Sequence, residues 1–461
     1  MTNHNKYFFC GIGGSGMMPL SVYLRQCGHE VRGSDRSYDQ GSSPEKFQKL
    51  SDLGVKIYPQ DGSGVVNADY LVVSTAIEDS IPDVKVAKEQ GVPIIKRGKL
   101  LAEFFNSAET SVGIAGTSGK STVTGMIGTI FDVTGKNPTV VNGGKVRNFP
   151  SPYQDIKVGN SDLFIAELDE SDGSIEHYDP TIAVVNNIAL DHKSIEEIER
   201  YFLDFIKKAK KTIVLNQDDD RLKSIIHNYD GQAELLTFSI RDKDADLYAN
   251  NLIYKLHGID FTLHYKNQEY SVSLQVPGRH NVMNALAASA AALANGLKIN
   301  EVIQGLAAFE GIKRRLEYVG EKNGISVIDD FAHNPDKISA SLNTLKAFDG
   351  RLIVMFQPHG FGPLRLMGQE IIEVFSHYLN DEDIVLMPEV YYAGGTVDRS
   401  VTSAHIIEDL CAKGKKALWF ETRDKILPFL KKEAQQGDRI VIMGARDDSL
   451  SDFAKDILKF L

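Results

Sequence analysis

Short apolar runs alternate with helix-period stretches along most of the chain. The runs at residues 7–10, 70–73, 92–95, 112–115, 163–166, 182–185, 212–215, 325–328, 351–356, 384–387, 417–420 and 439–443 are brief and rich in Val, Ile, Leu and Phe. That is the pattern of strands buried on both faces. Between them apolar positions recur every three or four residues. Val123, Met126, Ile127, Ile130 and Phe131 share one helical face, and Ile195, Ile198, Phe202, Phe205 and Ile206 another within 195–211. Strands separated by helices predict doubly wound parallel sheets, so the fold class is α/β. Residues 247–276 break the rhythm. Ile259, Phe261, Leu263 and Tyr265 alternate with polar positions, as do Tyr270, Val272, Leu274 and Val276, with Asn267-Gln268 between. This predicts a β-hairpin on the side of the central sheet.

The junctions between runs carry the candidate chemistry. The strand at 7–10 opens into Gly11-Ile12-Gly13-Gly14-Ser15-Gly16, and a helical pattern starts at Met17. This GxGxxG stands between strand and helix, the setting in which it cradles a diphosphate at a helix N-terminus. A second strand near 30–33 ends in Ser34-Asp35, with Asp35 placed for a ribose hydroxyl, and Ser74-Thr75-Ala76 follows the strand at 70–73. The physics accepts UDP as readily as NAD. The strand at 112–115 runs into Gly116-Thr117-Ser118-Gly119-Lys120-Ser121-Thr122 and a helix. This is a shortened phosphate loop of form GTxGKS, with two residues between its glycines in place of four. Its backbone N–H groups would face phosphate, Lys120 would reach the outer phosphates and the Ser121 hydroxyl would bind Mg²⁺.

Two more strands end in polar groups. Residues 163–166 lead to Glu167-Leu168-Asp169-Glu170, and Glu170 suits a hard cation. Residues 182–185 lead to Asn186, Asn187 and then Asp191-His192, where His192 is either a metal ligand or an ordinary polar residue after a strand. Gly278-Arg279-His280-Asn281 opens an alanine-rich helix, and Lys313-Arg314-Arg315 places three cations side by side. Asp329-Asp330-Phe331-Ala332-His333 follows the strand at 325–328.

Composition narrows the class. A chain of 461 residues suits about three domains, and 42% hydrophobic residues suffice for several cores. A net charge of −11 argues against general nucleic-acid binding, which needs a basic face. Cys10, Cys27 and Cys411 are scattered and form no CxxC, so free thiols in a reducing cytoplasm are expected. No apolar run approaches transmembrane length, and the first residues lack the charged and apolar segments of a secretory leader.

In chain order, GIGGSGM, GTSGKST, ELDESDGS, NNIALDH, GRHNVMNA, KRRLE, DDFAHNP and FQPHGFG resemble the Mur ligases, ATP-dependent amide ligases of peptidoglycan synthesis. The resemblance spans nearly the whole chain. It implies a Rossmann-like UDP-substrate domain over 1–106, a central P-loop ATPase-like domain with a mixed or parallel sheet over 107–312, and a C-terminal Rossmann-like amino-substrate domain over 313–461. It implies ATP with a pair of Mg²⁺ ions, Mn²⁺ being a substitute. The substrates would be UDP-N-acetylmuramate and an amino acid or peptide, with L-alanine expected and a tripeptide as the alternative. A monomer or homodimer is expected, without nucleic acid or membrane insertion.

The same resemblance implies residue roles. Gly11, Gly13, Gly14, Ser15, Gly16, Met17, Ser34, Asp35, Ser74, Thr75 and Ala76 would bind the UDP part. Gly116 to Thr122, His280, Asn281, Arg315 and Asp330 would bind ATP, with Lys120 and Arg315 neutralising the transferring phosphoryl group. Ser121, Glu170 and His192 would hold metal, and His333 would lie near the reacting groups with His359 and Arg365 on the amine side. Two departures stand out: Ser118 replaces a usual His, and Gly360 replaces the Arg of a QPHR motif. A redox enzyme and a nucleotide-sensing protein without catalysis are the competing classes; the intact Lys120, Glu170, His192 and Asp330 argue against the second.

Overall fold

The buried runs pair into three sheets in the computed structural model, which describes residues 4–189, 194–392, 398–447 and 449–461. The first sheet holds β1 (Lys6–Cys10), β2 (Glu30–Ser34), β3 (Lys56–Tyr58), β4 (Tyr70–Val73) and β5 (Ile94–Lys96), in the order β3-β2-β1-β4-β5. Every pairing in it is parallel. The order reverses on either side of β1, so the loop after β1 lies at the crevice where such sheets bind ligands.

The second sheet holds β6 (Thr110–Ala115), β7 (Thr139–Val141), β8 (Ile156–Lys157), β9 (Leu163–Glu167), β10 (Ile182–Val185), β11 (Thr212–Asn216), β12 (Glu234–Ser239), β13 (Leu247–Lys255), β14 (Gly258–Tyr265) and β15 (Gln268–Leu274). Its order is β15-β14-β13-β12-β11-β10-β6-β9-β7-β8. β6 lies between β9 and β10 and parallel to both. Val112, Ile114 and Ala115 on β6 are fully buried, as a central strand covered on both faces requires. The alternating stretch expected as a hairpin beside the sheet forms three strands, β13 to β15, that extend the same sheet to its edge.

The third sheet holds β16 (Glu317–Lys322), β17 (Ile325–Asp330), β18 (Leu352–Gln357), β19 (Ile384–Pro388), β20 (Lys416–Phe420) and β21 (Arg439–Gly444), ordered β16-β17-β21-β18-β19-β20. β16 is antiparallel and the rest parallel. The last strand in sequence is thus central, between β17 and β18.

The helix expected over 195–211 runs Ile195–Lys207. It stops there because Lys210 N and Lys211 N donate to Pro180 O and Thr181 O, 2.9 and 3.0 Å away, which starts β11. Among the described residues no helix is long and apolar enough to cross a membrane.

Contacts divide the chain into two compact units. One comprises residues up to Ile253, Asp260–Gln275 and His280–Glu310; the other comprises Tyr254–Ile259, Val276–Arg279 and Gly311–Leu461. The first two sheets share the first unit because one core runs through both. Tyr23 stacks edge-on against Phe104 and Phe164, with ring centroids 5.3 and 5.6 Å apart, and Phe105 does so against Phe164 and Tyr178 at 5.9 and 5.2 Å. Gly98 allows this approach: a Cβ there would stand 2.4 Å from Cβ of Ser174.

Candidate active site

The turn after β6 leads into the helix Lys120–Val133, whose cap residue Gly119 has φ +85° and supplies no side-chain cap. The first N–H groups of that helix therefore point out of the turn without a side-chain acceptor, which is the electrostatic setting for an anion. Val123, Met126, Ile127, Ile130 and Phe131 are at most 1% exposed, so the helix is held by its apolar face. Amide side chains hold the turn itself. Asn187 Oδ1 accepts Ser118 N at 2.8 Å, and the Asn186 and Asn187 amides each donate to Ser118 O at 3.0 Å. Asn186 Nδ2 also donates to Asn284 Oδ1 at 3.0 Å, and Asn284 Nδ2 to Asn281 Oδ1 at 3.2 Å. A chain of amides thus links the helix Arg279–Ala294, which carries His280 and Asn281, to the phosphate loop. Asn186 and Asn284 were not among the expected site residues. Asn186 ends a strand and opens the NNIALDH stretch, and Asn284 lies within GRHNVMNA, but neither position by itself pointed to the loop.

Because β9 neighbours β6, the acidic stretch after β9 arrives beside the loop. Lys120 Nζ donates to Glu170 Oε2 at 2.9 Å and to Gly116 O at 2.8 Å, with the two charged side chains only 13% and 4% exposed. Ser121 is also buried, and its carbonyl accepts Asn142 Nδ2 at 3.1 Å. Asn142 Oδ1 is buried and accepts no hydrogen bond. A carboxylate, a hydroxyl and an unpartnered amide oxygen around one turn are the all-oxygen donors that Mg²⁺ prefers, so these residues fit that ion. Among the described residues no three His, Cys, Asp or Glu side chains converge, and His192, the expected third ligand, lies outside the described residues.

The glycine turn after β1 is organised by Asp35. Its carboxylate accepts Gly13 N and Ser37 N, both at 2.8 Å, while Lys46 Nζ donates to Gly13 O at 3.2 Å. Asp35 thus holds the turn with one oxygen and caps the short helix Arg36–Asp39 with the other. Gly14 and Ser15 stay exposed, and Met17 opens the helix Met17–Gln26, again with no side-chain cap at Gly16. Ser34 Oγ donates to the buried Asp83 at 2.5 Å. Ser74, Thr75 and Ala76 follow β4, the neighbour of β1, so they share this edge. Arg97 packs against Gly16 and pairs with Asp172 at 2.9 Å. Burial works to raise the Asp172 carboxyl, but the hydrogen bonds from Ser174 and the charge of Arg97 outweigh it and hold the group below its ordinary value.

In the second unit, the carboxyl edge of the third sheet gathers most of the other expected residues. Asp330 ends β17, buried, and accepts the Ser341 hydroxyl; burial pushes its carboxyl up, with Ser341 opposing. His333 and His359 meet edge to face with centroids 5.0 Å apart. Burial lowers both imidazoles, His333 to about 4, so both rings are neutral at pH 7. Arg365 is exposed, its guanidinium 2.7 Å from Asp398. Arg315 is exposed. Its neighbour Arg314, read as one of a basic turn, is instead a buried staple: it donates to Asp329 Oδ1 at 3.3 Å, Gly444 O at 2.7 Å and Asp447 O at 3.4 Å.

The chain matches known proteins from end to end. The pattern of the Mur ligase family catalytic domain matches residues 6–109, that of the Mur ligase middle domain 114–292, and that of the Mur ligase glutamate ligase domain 314–446. A UDP-N-acetylmuramate–L-alanine ligase of Geotalea daltonii is 34% identical over 450 residues, covering 95% of each chain. One of Persephonella marina is 35% identical over 467 residues, covering 97% of this chain and 96% of its own. The crystal structure of the UDP-N-acetylmuramate–alanine ligase of Thermotoga maritima superposes with a TM-score of 0.80 at 26% identity over 99% of both chains. With relatives above 30% identity aligned over nearly its full length, and three Mur ligase domain patterns matched one after another along it, the chain belongs to the Mur ligase family.

Proposed function

We propose that the protein is an ATP-dependent ligase that joins L-alanine to the lactyl carboxylate of UDP-N-acetylmuramate. The observation that carries this reading is the Lys120–Glu170 pair at the head of an uncapped helix, which places a phosphate-seeking cation and a cation-seeking carboxylate in one spot. The relatives named above supply the acceptor and the amine. A carboxylate is a poor electrophile, so it is activated first. A lactyl oxygen attacks the γ-phosphorus of ATP, ADP leaves, and an acyl phosphate forms. The amine nitrogen then attacks the acyl carbon, inorganic phosphate leaves with the broken C–O bond, and the nitrogen loses a proton. Lys120, released from Glu170, turns to the phosphate oxygens, and the turn's N–H groups hold them in line. Ser121 and Glu170 would hold Mg²⁺, which would supply positive charge to the transferring phosphoryl group when bound. The glycine turn after β1 receives the UDP diphosphate.

The test supplies ATP, Mg²⁺ and UDP-N-acetylmuramate with L-alanine or with a tripeptide ending in diaminopimelate, and reads phosphate release and product mass. The alanine adduct is expected. A predominant tripeptide adduct would reassign the amine, and ATP binding without turnover would make the chain a nucleotide sensor.

The phosphate loop gives a sharper expectation. A Cβ on Gly119 would stand 2.4 Å from both Asn186 Nδ2 and Asn284 Oδ1, at a φ where side chains are strained. Gly119→Ala is expected to cost roughly 2–4 kcal/mol of stability and to raise KM for ATP at least about tenfold. Isothermal titration with a non-hydrolysable ATP analogue checks it; unchanged affinity would show that the amide chain does not shape the loop.

A further inference from the structure

The third sheet lacks the cation that an amino acid's carboxylate calls for at the place where the family pattern would put it. Gly360 stands there, and Arg365, the nearest arginine in sequence, is a half-exposed partner of Asp398. The His333–His359 pair is neutral at pH 7 and cannot supply the charge.

We infer that Arg446 receives the carboxylate of the amino substrate, beside the His333–His359 pair at the carboxyl edge of the third sheet. The assignment rests on the ligase reading above.

Register places the three residues together. Gln357 pairs with Gly444, and His359 and Arg446 each stand two residues further on. Asp330 pairs with Met443, and His333 and Arg446 each stand three residues further on. The charge of Arg446 is felt by both rings, together with that of Lys337. The backbone singles Arg446 out. Its φ is +62°, a left-handed conformation that glycine adopts freely and arginine at a cost. Strain of this kind persists where the surroundings enforce it, and it concentrates at functional sites. Here the enforcement is visible: Arg314 donates to the carbonyls of Gly444 and Asp447, which flank Arg446 on both sides. Asp447 is itself fixed by Ser449 N at 3.0 Å and by the Arg423 guanidinium at 2.9 Å. The side chain so held is exposed, and among the described residues no carboxylate pairs with it. A guanidinium fork on a rigid turn matches a carboxylate two-point to two-point.

The experiment compares L-alanine with L-alaninamide, which lacks the carboxylate, in the wild type and in Arg446→Gly, Arg446→Lys and Arg365→Ala. Arg446→Gly removes the cation and relieves the backbone, so the melting temperature should not fall. KM for L-alanine is expected to rise roughly 10- to 100-fold while KM for ATP and for UDP-N-acetylmuramate stays within twofold. The preference for alanine over alaninamide should collapse, and Arg446→Lys should restore it in part. An Arg446→Gly protein that keeps the preference, or an Arg365→Ala protein that loses it instead, overturns the assignment while leaving the ligase reading intact. A wild type that releases no phosphate with any amine overturns the ligase reading itself, and the assignment with it.

Discussion

A Lys120→Ala protein is expected to lose at least roughly a thousandfold in turnover while remaining folded. The lysine sits at the first position of the helix Lys120–Val133, its ammonium bonded to Gly116 O and Glu170 rather than to the core beneath the helix. Its charge is therefore available to phosphate as soon as an anion competes with Glu170. Phosphoryl transfer depends on neutralising charge on the transferring group, so loss of this cation falls on the transition state. A second, smaller effect goes with it. Glu170 is only 3% exposed, and without its partner it is a buried anion, which costs on the order of 1–3 kcal/mol. The two effects separate in a Lys120→Met, Glu170→Gln double variant: stability should return toward wild type, and turnover should not. Steady-state ATP hydrolysis with UDP-N-acetylmuramate and L-alanine, beside a thermal melt, reads both. Activity within tenfold of wild type in Lys120→Ala would remove the lysine from the mechanism.

What the chain disclosed in its sequence follows from how local each feature is. The phosphate loop was legible because strand, turn and helix are consecutive, and the structure keeps β6, the Gly116–Gly119 turn and the helix at Lys120 in that order. Glu170 was legible because an apolar run delivers it to a sheet edge; that its edge adjoins β6 is a matter of strand order, which no local pattern carries. The core between the first two sheets was not legible, because Tyr23, Phe104, Phe105, Phe164 and Tyr178 meet through contacts between residues far apart in sequence. The alternation over 247–276 correctly indicated strands but not that they extend the central sheet. Arg314 shows the limit most plainly. In sequence it is one of three like cations, and only the fold decides that it turns inward while Lys313 and Arg315 are exposed. Arg446 reads as a loop arginine until its backbone angle and its clamped neighbours are known.

Replacing Arg314 by Met is expected to lower the stability of the second unit by about 3–5 kcal/mol. The guanidinium side chain is 11% exposed and its partner Asp329 1% exposed. Methionine keeps much of the volume but leaves the Asp329 carboxylate with Ser451 Oγ, 2.6 Å away, as its remaining side-chain donor. It also leaves the carbonyls of Gly444 and Asp447 without the fork that joins them. An uncompensated buried carboxylate accounts for most of the cost, so Asp329→Asn added to Arg314→Met should recover part of it. Arg314→Lys should recover little, because one ammonium cannot reach the three acceptors that a planar guanidinium spans. At about 2–4 °C per kcal/mol for a unit of this size, the melting transition assigned to the second unit should fall by roughly 10 °C. Hydrogen exchange identifies the unit: amides of β17 and β21 should lose protection while those of β1 and β6 keep theirs. At temperatures where the variant is folded, the turn between Gly444 and Asp447 is no longer held, so KM for the amine should rise with KM for ATP little changed. A variant that melts with the wild type and keeps its exchange pattern would show that Asp329 does not need the arginine, and that β21 and its turn are held by the sheet alone.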